Sequence, residues 1–250
     1  IREVIMTQPL LHVHQLGKRF GGFVVLDGID FHVQPGERLG LIGPNGSGKS
    51  TLVNCLSGVL VNDLGTIDFD GQSLLGLPPH QRAYRGLARS FQIPRPFVRM
   101  TVLQNIRVPL MFAAEHRLGR RHSSDELEAM ALQALDQVGL LSKRDDMAGS
   151  LTQIDLRKLE LARAIAAQPK LLIADESMAG LATSETDEIL ALLFRLNEMG
   201  IAVIMIEHIM RAVSAFSQRL VVLAAGKKIA DGPTDAVLRD PLVERIYLGD

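Results

Sequence analysis

Gly43-Pro44-Asn45-Gly46-Ser47-Gly48-Lys49-Ser50-Thr51 is the stretch whose reading decides this chain. Gly43, Gly48, Lys49 and Ser50 satisfy the phosphate-cradling pattern G-x-x-x-x-G-K-[ST]. The flanks agree with it. Arg38-Leu39-Gly40-Leu41-Ile42 is short and mostly apolar, as a buried strand is. Thr51-Leu52-Val53-Asn54-Cys55-Leu56-Ser57 reads as a helix stopped by Gly58. Glycines let the backbone wrap tightly around a phosphate, so that successive N–H groups point inward. The helix start adds the positive end of its dipole. Asn45, Gly46, Ser47 and Thr51 complete the expected cradle. Lys49 can reach the β- and γ-phosphates, and the Ser50 hydroxyl can ligate Mg²⁺. A nucleotide with Mg²⁺ is the expected ligand; the competing reading is a Gly-rich turn with a stray lysine.

The 250 residues allow one large domain, or a domain carrying a sizeable insertion. Apolar residues make up 47% and charged residues 22%, which predicts a buried core rather than disorder. A net charge of −1 gives no global attraction to nucleic acid or anionic lipid. With no Trp and two Tyr, a base-stacking surface is disfavoured as well, so no nucleic-acid partner is expected. Cys55 is the only cysteine, which excludes an internal disulfide, fits a reducing location and points to a thiol packed in a helix. No apolar run approaches the ~18 residues of a membrane span, and the start has no signal-peptide pattern. Met6 is read as the natural start, with residues 1–5 a non-native remnant and 6–250 a single domain.

Taken in order, the opening third reads as β-rich and antiparallel around one helix. Leu11 and Val13 alternate with His12 and His14. Phe20-Gly21-Gly22-Phe23 is a turn, and Asp27-Gly28 is a hairpin signal between two further strands. Thr66-Ile67-Asp68-Phe69-Asp70 alternates again. Near Pro78-Pro79 the apolar period lengthens, and the interval from about 78 to 165 reads as a helical subdomain inserted into the nucleotide-binding fold. Its clearest helix starts with a Ser123–Glu126 capping box and carries Leu127, Met130, Ala131, Ala134, Leu135 and Val138 on one face. Leu171-Leu172-Ile173-Ala174 and Ile201-Ala202-Val203-Ile204-Met205-Ile206 then read as parallel strands covered on both faces. Between them lies a helix with Ser184 as its expected N-cap. Arg219-Leu220-Val221-Val222-Leu223 and Lys228-Ile229-Ala230 form a closing hairpin, and Asp240-Pro241 opens a last short helix.

A phosphate loop needs an acidic partner at the end of a buried strand. Asp175 follows 171–174 directly and would hold Mg²⁺ through water, while Glu176 could polarise the attacking water. A solvated acidic pair is the bland alternative. Glu207-His208 ends the next apolar strand, and a neutral His there can accept from water and donate to a γ-phosphate. Gln92, in Ser90-Phe91-Gln92, sits where the β-rich part meets the helical one and could ligate Mg²⁺ and sense the γ-phosphate. Arg82, Arg85, Arg89, Arg95 and Arg99 form the densest basic stretch, and the near-zero net charge favours a solvated or interface surface over a nucleic-acid patch.

These residues, with the run Leu159-Glu160-Leu161-Ala162-Arg163-Ala164-Ile165, resemble the ATP-binding subunit of ABC transporters over nearly the whole chain. Within that family the chain is most similar to the ATPases of branched-chain amino acid importers. The local likenesses are Arg19-Phe20-Gly21-Gly22, Ser90-Phe91-Gln92 with Phe97 following, and Ile246-Tyr247-Leu248-Gly249-Asp250. The resemblance implies an α/β fold: a P-loop NTPase core with an antiparallel β-subdomain and an inserted helical subdomain. It implies ATP and Mg²⁺ as ligands, with Phe20 stacked on adenine. It further implies a second ATPase subunit, membrane-spanning permease subunits reached through the Gln92 loop, and a solute-binding protein met indirectly. The place of work would be the cytoplasmic face of the membrane, held peripherally.

The chain departs from the family at three points. The family's Leu-Ser-Gly-Gly-Gln or Leu-Ser-Tyr-Gly-Gln signature aligns with Leu151-Thr152-Gln153-Ile154-Asp155. Thr152 keeps a hydroxyl, Ile154 replaces a glycine that approaches the partner's γ-phosphate, and Asp155 would add a negative charge if it faced that phosphate. Ala182 stands where the family has Asp or Asn, and Ser177 where it has Pro. The chain's own half of a site is therefore intact and the half it lends is altered, which predicts a heterodimer, a homodimer being the alternative. Two other functions compete with transport: an ABC-type ATPase acting on RNA, ribosomes or repair complexes, and a regulatory subunit that hydrolyses little.

Overall fold

The computed structural model describes residues 8–90, 94–114, 119 and 122–248. Two sheets carry the fold. The first is antiparallel, in the order β2-β1-β4-β5, from β1 (Leu11–Phe20), β2 (Phe23–Val33), β4 (Leu64–Phe69) and β5 (Gln72–Ser73). The second runs β10-β9-β3-β8-β7-β6, from β3 (Arg38–Ile42), β6 (Leu87–Ser90), β7 (Leu171–Asp175), β8 (Ala202–Ile206), β9 (Arg219–Ala224) and β10 (Lys227–Pro233). All its neighbours are parallel except β9 and β10, the closing hairpin.

On β1, Leu11 and Val13 are buried and His12 and His14 exposed, as the alternation predicts. Strict alternation would then turn Leu16 outward. A register shift between Val13 and Leu16, with Gln15 at φ 48°, returns Leu16 to the buried face. Asp27-Gly28 makes no hairpin: β2 runs unbroken from Phe23 to Val33, with Gly28 at φ 63° in the next register shift, between Leu16 and Lys18 of β1. A positive φ serves a bulge as well as a two-residue turn, so the dipeptide alone misleads.

The helix α1 (Lys49–Ser57) follows β3 and buries Leu52, Val53 and Leu56 in one core with Leu11 and Val13 of the first sheet. Strands β7 and β8 are buried at every position. Leu171, Ile173, Ala202 and Ile204 join that core, whereas Leu172, Ala174, Val203 and Met205 face a second one made with helices. Both faces are covered, so the side-chain period of two is invisible in the sequence.

The second core is built on α3 (Val102–Pro109), α4 (Ser124–Gln137), α5 (Gln153–Ala166) and α6 (Thr183–Glu198). The capping box at α4 is present: Ser123 Oγ accepts from the Glu126 N–H at 3.2 Å, and Glu126 accepts from the Ser123 N–H at 2.8 Å. Helix α6 starts earlier than expected. Ala182, not Ser184, is its N-cap, and the Glu185 carboxylate accepts the Ala182 N–H at 2.8 Å in place of a capping hydroxyl. The interval 78–165 also holds more than helices. After α2 (Pro79–Tyr84), β6 pairs with β7 from Leu87 against Leu171 to Ser90 against Ala174, so it belongs to the central sheet. The chain closes with α7 (Met210–Phe216), α8 (Thr234–Leu238) and α9 (Pro241–Leu248), the last opening on Pro241 as expected. Residues 1–7, including Met6, and 249–250 lie outside the described residues.

Candidate functional site

The phosphate loop connects β3 to α1 and is folded by its glycines. At Gly43, φ is 155°, and a Cβ would lie 2.2 Å from the Leu223 carbonyl oxygen. At Gly48, φ is 103°, and a Cβ would meet the Val25 carbonyl at 3.0 Å and Leu26 at 2.8 Å. Any side chain at these positions displaces backbone of β9 or β2, so only glycine closes the turn. The Lys49 ammonium is buried and donates to the Gly43 and Pro44 carbonyls at 2.6 and 3.0 Å. Burial lowers its pKa from the ordinary lysine value, against the pull of the Glu176 and Asp175 charges. The Ser47 hydroxyl is buried without a hydrogen-bond partner. A cationic side chain held at the mouth of a turn too tight for Cβ atoms fits a bound phosphate chain, and Ser50 stands beside it for a cation.

Strand ends bring the acidic residues to this loop. The loop, Val25, Glu176 and His208 line a single cleft of about 180 Å³. Glu176 sits at φ 48°, a region that costs a non-glycine residue roughly 1–3 kcal/mol, and its N–H bonds to the Ile206 carbonyl at 2.9 Å. Its carboxylate lies 3.2 Å from His208 Nε2. Asp175, the last residue of β7, is buried. Arg89 of β6 donates to its carboxylate at 2.8 Å and also to Asn54 Oδ1 at 2.7 Å and Ser57 Oγ at 3.2 Å. That guanidinium ties the strand end to α1 and offsets the carboxylate charge. Phe20, at the end of β1, is 46% exposed and is not among the residues lining the cleft; the Lys18 ammonium lies 5.4 Å from its ring centroid. Gln92 lies outside the described residues.

The basic stretch differs from its expected role as a solvated or interface surface. Arg82 is buried and donates to four main-chain carbonyls, those of Cys55, Leu56, Leu74 and Leu77. Arg89 is committed as described, and Arg85 donates to the Ser73 carbonyl at 2.9 Å. Arg95 and Arg99 are exposed. The physical reason is the end of α1, whose last carbonyls lack helical donors and draw cations inward. Cys55 is fully buried, and burial pushes its thiol up to about 11, so it is a packing group as expected.

The segment 151–155 opens α5, with Thr152 as N-cap. Asp155 does not project its charge outward. It is 5% exposed, and its carboxylate accepts from Lys143 Nζ and, at 2.6 Å, from the Thr152 hydroxyl. Burial acts against ionisation, but those hydrogen bonds and the Lys143 and Lys158 charges outweigh it and hold the carboxyl below its ordinary pKa. The Thr152 hydroxyl proton is thus already given to Asp155. Ile154 packs against the helical core. Gln153 and Arg157 reach the Ala179 carbonyl, at 3.4 Å each, which joins α5 to the loop that follows Glu176.

Sequence reasoning passed over Glu207, quoted beside His208 without a role. The parity of β8 could have found it: residues 203 and 205 point into the helical core, so 207 continues on that face. It is 3% exposed.

Residues 26–179 match the family described as ABC transporter. The chain is 38% identical to the high-affinity branched-chain amino acid transport ATP-binding protein LivG of Escherichia coli, over 98% of this chain and 100% of that one. It is 36% identical to the corresponding protein BraF of Pseudomonas aeruginosa, with the same coverage. Among solved structures, the ADP conformation of an ATP-binding cassette of an ABC transporter superposes with a TM-score of 0.86 at 31% identity, covering 98% of this chain and 100% of that chain.

Proposed function

From the ABC transporter family, to which this chain belongs, we infer that it is the ATP-hydrolysing subunit of an importer for branched-chain or related amino acids. The observation that carries the reading is the single cleft joining the phosphate loop to Glu176 and His208. ATP would lie with its phosphates on the 43–51 backbone, Lys49 meeting the β- and γ-phosphates and Phe20 the adenine. Ser50, Asp175 and Gln92 would hold Mg²⁺, which when bound neutralises phosphate charge. Glu176 would take the proton of the attacking water. His208, 3.2 Å from the Glu176 carboxylate, would orient that water and donate toward the γ-phosphate.

The permease would dock in an apolar groove of about 350 Å³, lined by Val59 and Ala83 from the core side and Pro109, Ala164 and Ala167 from the helical side. No helix among the described residues is long and apolar enough to cross a membrane. In this reading the membrane path belongs to the permease subunits, and the chain works peripherally at the cytoplasmic face.

A second ATPase subunit with an intact signature completes the assembly. The half-site this chain lends has its hydroxyl engaged by Asp155 and Ile154 in place of glycine. The defect rests on those two features and not on an exposed Asp155 charge. A homodimer would place it in both sites; a heterodimer leaves one site built from Lys49, Glu176 and His208 facing an intact signature. Glu176→Gln should lower ATP turnover of the assembled transporter by about 10²–10⁴-fold. The equivalent change in the partner should cost much less. Equal losses from the two changes, or an isolated homodimer as fast as the complex, would refute the asymmetric reading.

A further inference from the structure

One buried carboxylate lies behind the Glu176–His208 contact. Glu207 follows the last residue of β8 and turns into the protein, 3% exposed. Its Oε1 accepts the Met178 N–H at 2.9 Å. Met178 lies two residues beyond Glu176, and His208 is the residue whose ring meets Glu176 at 3.2 Å. The side chain therefore ties the loop after Glu176 to the strand end that carries His208.

The surrounding groups leave this task to Glu207. Ser177, between Glu176 and Met178, is buried with its hydroxyl unpartnered, so it does not hold the loop. Arg157 of α5 approaches from the other side, donating to the Ala179 carbonyl at 3.4 Å. The loop is thus held at the Met178 amide by an acceptor and at the Ala179 carbonyl by a donor. Three ionisable neighbours face or adjoin the carboxylate: Glu176 at the end of β7, Arg157 from α5, and His208 next to it in the chain. Burial pushes the Glu207 carboxyl up to about 7, Glu176 adds in the same direction, and the Met178 amide and Arg157 pull it back. A group kept in so unfavourable a place for a charge is doing something an apolar side chain would not.

We propose that Glu207 is the positioning residue of the hydrolytic pair, its carboxylate setting the spacing of Glu176 and His208 by holding the Met178 amide from the strand end that carries His208. The proposal rests on the reading of Glu176 and His208 as that pair. A carboxylate is acceptor-only, whereas a carboxamide offers one oxygen and places an NH₂ without an acceptor in the buried pocket. Asp, one methylene shorter, falls short of Met178.

The test measures ATP turnover of the assembled transporter and ATP–Mg affinity of the full chain for Glu207→Gln, Glu207→Ala and Glu176→Gln. Misplacing a reacting group by about 1 Å can cost 10²-fold in rate. Glu207→Gln should lower kcat about tenfold and Glu207→Ala about a hundredfold, both with ATP affinity within about twofold of wild type. Should Glu207→Ala fail to fold, the isosteric Glu207→Gln decides. Wild-type kcat in Glu207→Gln, with Glu176→Gln inactive, overturns the proposal and leaves the hydrolytic pair standing. Loss of ATP affinity in parallel with kcat overturns it too, because that marks collapse of the whole cleft. Full turnover in Glu176→Gln removes the pair itself.

Discussion

Arg82→Ala removes the cation that finishes α1, and its cost can be worked from the structure. The guanidinium donates to Cys55 O at 2.7 Å, Leu56 O at 2.8 Å, Leu77 O at 2.9 Å and Leu74 O at 3.0 Å. Cys55 and Leu56 lie in the last turn of α1, whose carbonyls have few helical donors. The side chain is 3% exposed, and burial lowers its pKa from the ordinary arginine value, so desolvation already opposes these bonds. Hydrogen bonds to a charged donor contribute about 1.5–3 kcal/mol each before such losses. They are not additive, and removing one partner of a buried charged set typically costs about 3–5 kcal/mol. In a chain of this size that corresponds to roughly a 10 °C fall in Tm. Arg82→Lys keeps the charge but not the planar fork, and a single ammonium recovers less than half of the loss. Thermal unfolding of the three proteins, followed by circular dichroism, measures this directly. A change in Tm below about 2 °C for Arg82→Ala would refute the reasoning, since it would mean that water replaces the guanidinium without cost.

Two further outcomes are expected. Lys49→Ala should weaken ATP–Mg binding about ten- to hundredfold, the loss of a charge-assisted phosphate contact worth roughly 1.5–3 kcal/mol; unchanged affinity in a calorimetric titration would show that Lys49 does not hold phosphate. Glu207 links stability to pH. Its carboxyl is raised in the folded chain from 4.5 to about 7, so the folded state binds the proton more tightly than the unfolded one. The stability this contributes is complete below about 4.5 and is lost as pH rises through about 7. Wild type should lose up to roughly 3 kcal/mol more than Glu207→Gln between pH 5 and pH 8, measured by urea unfolding at each pH; parallel pH curves for the two proteins would contradict the assignment.

How much of this was legible beforehand differs residue by residue. The phosphate loop was readable because its parts are consecutive: a strand, a turn that only glycine can make, and a helix carrying Lys49 and Ser50. The acidic end of β7 and His208 at the end of β8 were readable because an apolar run of about five residues announces a buried strand and where it stops. Helix α4 announced itself through Ser123 and Glu126, again within one turn of chain.

Other features depend on partners far away in sequence. Leu87-Ala88-Arg89-Ser90 has no decisive pattern of its own, and becomes a strand because β7 offers it an open edge. Asp155 reads as a charge aimed at a ligand, and only the approach of Lys143 turns it inward. Arg82 and Arg89 read as members of a basic surface, and only the fold brings the end of α1 and Asp175 to them. Composition and spacing determined the strand, the glycine turn and the helix of the phosphate loop, because those signals are local backbone geometry. The tertiary structure alone decided which charges face the site and which are consumed inside it, because desolvation and pairing depend on groups tens of residues apart.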